Sequence, residues 1–191
     1  MTPRSLVAGI FVGGASTRFG GHPKGLLAGP TGETLVDHLR GHLGALAIPC
    51  VLVGRRPEYA HLGLVTLDDE PAGVGPLGGL IALLRHAGSG RCLALGCDMP
   101  FVTRAMLDAL ATTDALPPAL AARRDERWEP MFARYDAPAA LSAALDREAR
   151  GQRSLHGLLD ALGAAALPLS PDEQRQLDDW DTPGDRARRP R

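Results

Sequence analysis

The stretch Leu6-Val7-Ala8-Gly9-Ile10-Phe11-Val12-Gly13-Gly14-Ala15-Ser16-Thr17-Arg18-Phe19-Gly20-Gly21-His22-Pro23-Lys24 carries the first decision about the fold. An apolar run from Leu6 to Val12 breaks at Gly13-Gly14 into a polar loop that closes at Pro23-Lys24. A short run that is apolar throughout marks a central strand buried on both faces, as in parallel sheets. The glycines allow a backbone to approach a phosphate closely, and consecutive N–H groups form an anion nest. Arg18 offers a planar fork for phosphate oxygens and Lys24 a mobile point charge. Such a loop after a buried strand suits a triphosphate; the competing reading is a glycine-rich turn with solvated charges. It is not a P-loop, because no Gly-Lys-Ser/Thr follows, and it lacks the GxGxxG spacing of a dinucleotide site.

Strand and helix patterns alternate outward from this stretch. Leu35, Val36, Leu39, Leu43 and Leu46 recur at helical spacing, and Cys50–Val53 and Leu64–Leu67 are brief strand candidates. Gly75-Pro76 opens a helix through Leu80, Ile81, Leu83 and Leu84, with proline tolerated in the first turn. Cys92–Leu95 is a fourth strand that stops at Gly96-Cys97-Asp98-Met99-Pro100, and Thr103 caps the next helix. Leu120–Arg123 and Met131–Tyr135 read as strands joined by a charged turn, Arg124–Glu129. Helical patterns at Ala137–Arg150 and Ser154–Leu162 and a strand at Ala164–Leu169 complete the series. This alternation predicts a three-layer α/β domain with a mostly parallel central sheet. Ligands in such folds sit beyond the carboxyl ends of the strands, so Gly13–Lys24, Asp68–Gly79 and Gly96–Phe101 should share one rim.

Composition narrows the function. With 191 residues, the chain suits a single domain, residues 1–191, with 183–191 read as a frayed tail. A net charge of −1, from 21 basic and 22 acidic residues, argues against a nucleic-acid binder. Three cysteines with no CxxC read as thiols of a reducing cytoplasm. Arg4, the apolar Leu6–Val12 and Ala15 loosely imitate a signal peptide, but the run is of minimal length and contains Gly9. The uncharged stretch Ser5–Thr17 is too short for a bilayer, which needs about 20 residues. A cytoplasmic protein without membrane partners is the expectation.

Several residues carry candidate chemistry. Asp98, just beyond an apolar strand, is either a hard ligand for Mg²⁺ or a carboxylate that bonds its own turn. One member of Asp68-Asp69-Glu70 reads a base or ribose edge, or the run is a solvated loop. The literal GxGxxG at Gly73–Gly78 contains Pro76, which removes an N–H donor, so it reads as a tight turn with close helix packing at Gly78 and Gly79. His38 and His42 stand four apart on a helix but lack a third metal ligand, and Cys97 lacks a base partner and reads as a small buried thiol. Trp128-Glu129-Pro130-Met131 either lines an acceptor pocket or bridges two strands.

Taken in order, the loops resemble the molybdenum cofactor guanylyltransferase family of nucleotidyltransferases. The resemblance runs through Val12-Gly13-Gly14, Ser16, Arg18, Gly20 and Lys24, then Gly75-Pro76-Leu77-Gly78-Gly79, Cys97-Asp98-Met99-Pro100-Phe101 and Asp181-Thr182-Pro183. It implies the Rossmann-like nucleotide-diphospho-sugar transferase fold and transfer of GMP from GTP to molybdopterin with release of pyrophosphate. It also implies nucleotide contacts from Phe11, Val12, Gly13, Gly14, Lys24, Asp69 and Asp98, catalysis by Arg18, Lys24 and Asp98, and Mg²⁺ on Asp98. Cofactor-insertion proteins and acceptor molybdoenzymes are the implied handover partners. Three positions depart from the family pattern: Val53-Gly54-Arg55 replaces an asparagine loop, Pro23 precedes the loop lysine, and the tail reads Asp179-Trp180-Asp181-Thr182-Pro183. The last two look like cytidylyl-transferring relatives, and Asp181 is either a helix cap or a second metal ligand. Cytidylyl transfer, transfer to a sugar phosphate and non-catalytic nucleotide binding stay open as alternatives.

Overall fold

A computed structural model describes residues 5–13, 22–114, 117–124 and 126–180. The first apolar run forms β1 (Leu6–Phe11) at the middle of a seven-stranded sheet. β2 (Cys50–Val53) and β4 (Arg91–Gly96) flank it in parallel, placing Ile10 opposite Leu52 on one side and Leu95 on the other. β3 (Thr66–Leu67) extends the parallel part beyond β2. On the far side β6 (Arg127–Asp136) runs antiparallel to β4 and to β5 (Ala119–Arg124), and β7 (Ala165–Ala166) closes the edge parallel to β5. The order is β3-β2-β1-β4-β6-β5-β7, mostly parallel as the alternation predicts.

Helices cover both faces. α1 (Leu35–Ala45) and α3 (Arg104–Thr112) pack on one, burying Val36, Leu39, Leu43, Met106, Leu107 and Leu110. α2 (Pro76–Ala87), α4 (Ala137–Ala149) and α5 (Leu155–Ala161) pack on the other with Leu77–Leu84, Ala140, Ala144 and Leu158. Each fully buried leucine contributes about 1.5–3 kcal/mol relative to exposure. Starts are set by caps: Thr34 accepts the Asp37 N–H at 3.1 Å and Thr103 the Met106 N–H at 3.3 Å, each worth about 1 kcal/mol. At the far end of α3, the buried Arg134 donates to the carbonyls of Leu110, Ala111 and Thr113 at 2.9, 2.8 and 2.6 Å.

Element boundaries differ from the sequence reading where pairing decides them. The expected charged turn Arg124–Glu129 shrinks, because Arg124 pairs with Arg127, Arg123 with Trp128 and Ala122 with Glu129. Pro130–Phe132 then bulge out from β5, where a proline forfeits no ladder bond. At the edges, where a strand has one ladder neighbour, Leu64–Leu67 shortens to Thr66–Leu67 and Ala164–Leu169 to Ala165–Ala166. The 3₁₀ helix Pro57–Leu62 and α6 (Pro171–Arg175) are additions.

Candidate active site

The carboxyl ends of β1, β2 and β4 open into a cleft of about 360 Å³. Phe11, Val12 and Gly13 line it from β1, Val53 from β2, and Gly96, Cys97 and Asp98 from β4 and its loop. Lys24, Asp69, Gly75, Pro76 and Met131 complete the lining, so the described ends of the first loop share one rim with the other two, as expected. Gly14, Arg18 and Asp181 lie outside the described residues.

Lys24 and Asp98, 74 positions apart in the chain, meet in this cleft. Lys24 heads a 3₁₀ turn, Lys24–Leu26, and its Nζ donates to Asp98 Oδ2 at 3.2 Å. The two side chains are 20% and 26% exposed, so the pair stays open to a ligand. Behind it, the Trp180 N–H donates to the Asp98 carbonyl at 2.9 Å, and the indole stands edge-on to Phe101. The C-terminal segment thus backs the loop that presents the carboxylate.

The acidic run after β3 is divided by its partners. Asp68 points outward and takes a bidentate bond from Arg55, at 2.7 and 2.8 Å. Glu70 pairs with Arg85 on α2. Asp69 alone turns into the cleft, where burial, reinforced by the charge of Asp68, raises its pKa above the ordinary value. Gly79 makes the space: a Cβ there would come 2.8 Å from Val53 Cγ1, 3.0 Å from Phe11 Cε1 and 3.2 Å from Asp69 Oδ1. Gly73–Gly78 therefore serves as the sequence reading expects, in a turn and a close helix contact. At the departing position after β2, Gly54 adopts φ +94°, and a Cβ would stand 2.8 Å from Gly13 N. The turn after β2 presses on Gly13, with no room for a side chain at Gly54.

Other candidates resolve into packing. Burial pushes the Cys97 thiol up to about 12, with Asp98 adding to the effect, so it is no nucleophile near neutral pH. His38 places its ring nitrogens 3.0 Å from Glu33 Oε1 and 2.8 Å from the Val102 carbonyl, tying α1 to the loop after β4. Among the described residues no group of three or more His, Cys, Asp or Glu side chains is arranged to hold a metal. Trp128 turns away to α5, donating to Asp160 at 2.7 Å under the Arg123 guanidinium, whereas Met131 reaches the cleft. Glu129 lies among Asp98, Asp178 and Asp179; burial chiefly raises its pKa, and Arg124, 3.7 Å away, opposes this. Val53 is a lining residue the sequence reading missed, since an apolar strand end carries no chemical signature.

The chain is similar to known proteins over most of its length. Residues 8–165 match the MobA-like NTP transferase domain. The molybdenum cofactor guanylyltransferase of Pseudomonas fluorescens (strain SBW25) is 34% identical over 173 residues, covering 87% of this chain and 84% of that protein. The protein of the same name from Serratia proteamaculans (strain 568) is 32% identical over 165 residues, 84% of this chain and 82% of its own. Molybdopterin-guanine dinucleotide biosynthesis protein A from Archaeoglobus fulgidus superposes with a TM-score of 0.75 at 25% identity, over 94% of both chains. The 2-C-methyl-D-erythritol 4-phosphate cytidylyltransferase of Thermus thermophilus shares the fold, with a TM-score of 0.64 at 17% identity over 95% of both chains. A match that takes in the strands, the rim and its loops places the chain in the MobA-like NTP transferase family of nucleotidyltransferases.

Proposed function

We propose that the chain transfers GMP from GTP to the terminal phosphate of molybdopterin, releasing pyrophosphate. The observation that carries this reading is the Lys24–Asp98 pair, at 3.2 Å, in a cleft that also holds the inward Asp69. Guanylyltransferase names among relatives about a third identical over most of the chain point to the same base and acceptor.

The chemistry asks for positioning and charge neutralisation. An acceptor phosphate is already an anionic nucleophile, so no base need remove a proton. Its oxygen forms a bond to the α-phosphorus as the bond from that phosphorus to the β-bridging oxygen breaks, and pyrophosphate leaves. Lys24 sets a positive charge against the phosphates, and residues 11–13 bring strand-end backbone to the nucleotide. Asp69, when ionised, accepts N–H or O–H donors of the nucleoside; guanine presents two adjacent N–H donors on one edge, which a carboxylate takes together. The donor set also suits Mg²⁺, since one half-buried carboxylate at a strand end, completed by substrate phosphates and water, is how that ion is commonly held. Asp98 would hold Mg²⁺, which would supply charge neutralisation at the substrate phosphates. The product then passes to cofactor-insertion proteins and molybdoenzymes in the cytoplasm.

Thermal shift with GTP, CTP, ATP and UTP plus Mg²⁺ tests the nucleotide, and pyrophosphate release with molybdopterin tests the acceptor. A ligand at 100 times its Kd stabilises by about 2.7 kcal/mol, roughly 5–11 °C for a chain of this size. A Mg²⁺-dependent GTP shift followed by molybdopterin-dependent pyrophosphate release is expected. A shift with CTP alone makes the chain a cytidylyltransferase. Release with a sugar phosphate instead of molybdopterin reassigns the acceptor, and binding with no release on any acceptor makes it a nucleotide-binding protein.

A further inference from the structure

Lys24 is presented by a turn whose support comes from a side chain outside the cleft. Tyr59, in the 3₁₀ helix Pro57–Leu62, is only 2% exposed, and its Oη accepts the Gly25 N–H at 3.0 Å. Gly25 itself is buried and cannot carry a side chain. A Cβ there would lie 2.5 Å from Val36 Cγ2 on α1 and 2.8 Å from Tyr59 Oη. The peptide that follows Lys24 is therefore gripped between α1 and the phenol. Cys97, the residue before Asp98, belongs to the same buried cluster as Tyr59. The phenol thus stands where the Lys24 turn meets the Asp98 loop.

Position matters here because a lysine is a flexible point charge on a long stem. Where its backbone starts decides which oxygen its ammonium meets, and small displacements are costly in phosphoryl-type transfer. We propose that Tyr59 is a positioning residue: its hydroxyl holds the Gly25 amide, and through it the Lys24 ammonium, in register with Asp98 and the substrate phosphates. The assignment rests on the nucleotidyl-transfer reading above. It adds a residue that touches neither nucleotide nor acceptor and acts through Lys24.

Tyr59→Phe keeps the ring and removes the hydroxyl. The test is a double-mutant cycle with Lys24→Met, reading Kd for GTP with Mg²⁺ by calorimetry and Tm in parallel. Tyr59→Phe should weaken GTP binding about tenfold in the wild-type background, the factor that 1.4 kcal/mol represents. In the Lys24→Met background that loss should nearly vanish, while any change in Tm stays the same in both. If Tyr59→Phe does not fold, Tyr59→Met, a flexible apolar filler that also lacks the hydroxyl, takes its place in the same cycle and should show the same coupled loss. An undiminished loss in the Lys24→Met background, or no loss at all in the wild-type background, overturns the assignment. Wild-type protein that binds no nucleoside triphosphate overturns the functional reading too, so the two failures are distinct.

Discussion

The parallel half of the sheet, β3-β2-β1-β4, and the half built on the antiparallel β6–β5 hairpin, with β7 parallel at its edge, put their residues to different uses. Parallel strands all end on one rim, and each returns through a helix, so the loops there are free in length and composition. That rim gathers Gly13, Lys24, Asp69 and Asp98, and among its described carboxylates only Asp68 and Glu70 are neutralised by arginines at the surface. The antiparallel β5 and β6 turn back within a tight hairpin, and their arginines are engaged by neighbouring protein groups. Arg123 covers Trp128, Arg124 bridges Glu129 and Asp178, and Arg134 closes the end of α3. Its contribution to the cleft is Met131, pushed out by the bulge. One half carries the candidate chemistry and the other braces it.

If that division holds, substitutions in the two halves should damage different observables. The largest effect belongs to Asp98→Asn, which should lower the transfer rate about 10³-fold, or ~4 kcal/mol. Its Tm should stay within a few degrees, because a partly exposed ion pair is worth roughly 1 kcal/mol or less. A large fall in Tm with normal turnover would break the comparison. Next comes Arg134→Ala in the bracing half. It leaves three carbonyls without their donor and should destabilise by about 2–3 kcal/mol, lowering Tm by roughly 4–12 °C. GTP affinity below the melting range should not change; isothermal titration decides this.

Two smaller effects depend on pH. Burial raises the pKa of Asp69, so as pH falls it takes up its proton earlier than an ordinary aspartate. Since the ionised form is the acceptor, GTP affinity should begin to fall at a pH above 3.8, the ordinary value, and Asp69→Asn should flatten that dependence. Titrations carried from neutral pH down to 3.8 check it. The smallest change should come from Glu129→Gln. The folded protein holds the Glu129 proton more tightly than the unfolded chain, whose value is near 4.5. The resulting stabilisation is complete below that value and is lost as pH rises through the elevated folded one. The Tm difference between wild type and Glu129→Gln should therefore move in favour of wild type on acidification.

Much of the scaffold was legible because burial writes itself into local pattern. β1 and β4 follow apolar runs within one residue at each end, and Thr34 and Thr103 cap where the helical spacing begins. The capping box at Ser170 and Glu173 is written in the sequence as a Ser-x-x-Glu spacing before α6. Strand lengths at the sheet edges and the reach of the β5–β6 ladder were not legible, because they depend on partners distant in sequence. The same limit applies to Tyr59, whose role lies in a bond to a residue 34 positions away.

The amino-acid sequence alone determined the α/β alternation, the three rim loops and the residue types able to meet a nucleotide, since each follows from periodicity, glycine placement or side-chain chemistry within a few positions. Tertiary structure decided which of three neighbouring acids faces inward and that Lys24 meets Asp98. Those outcomes depend on burial and on partners brought together only when the sheet closes, and electrostatics at a few ångströms has no counterpart in sequence spacing.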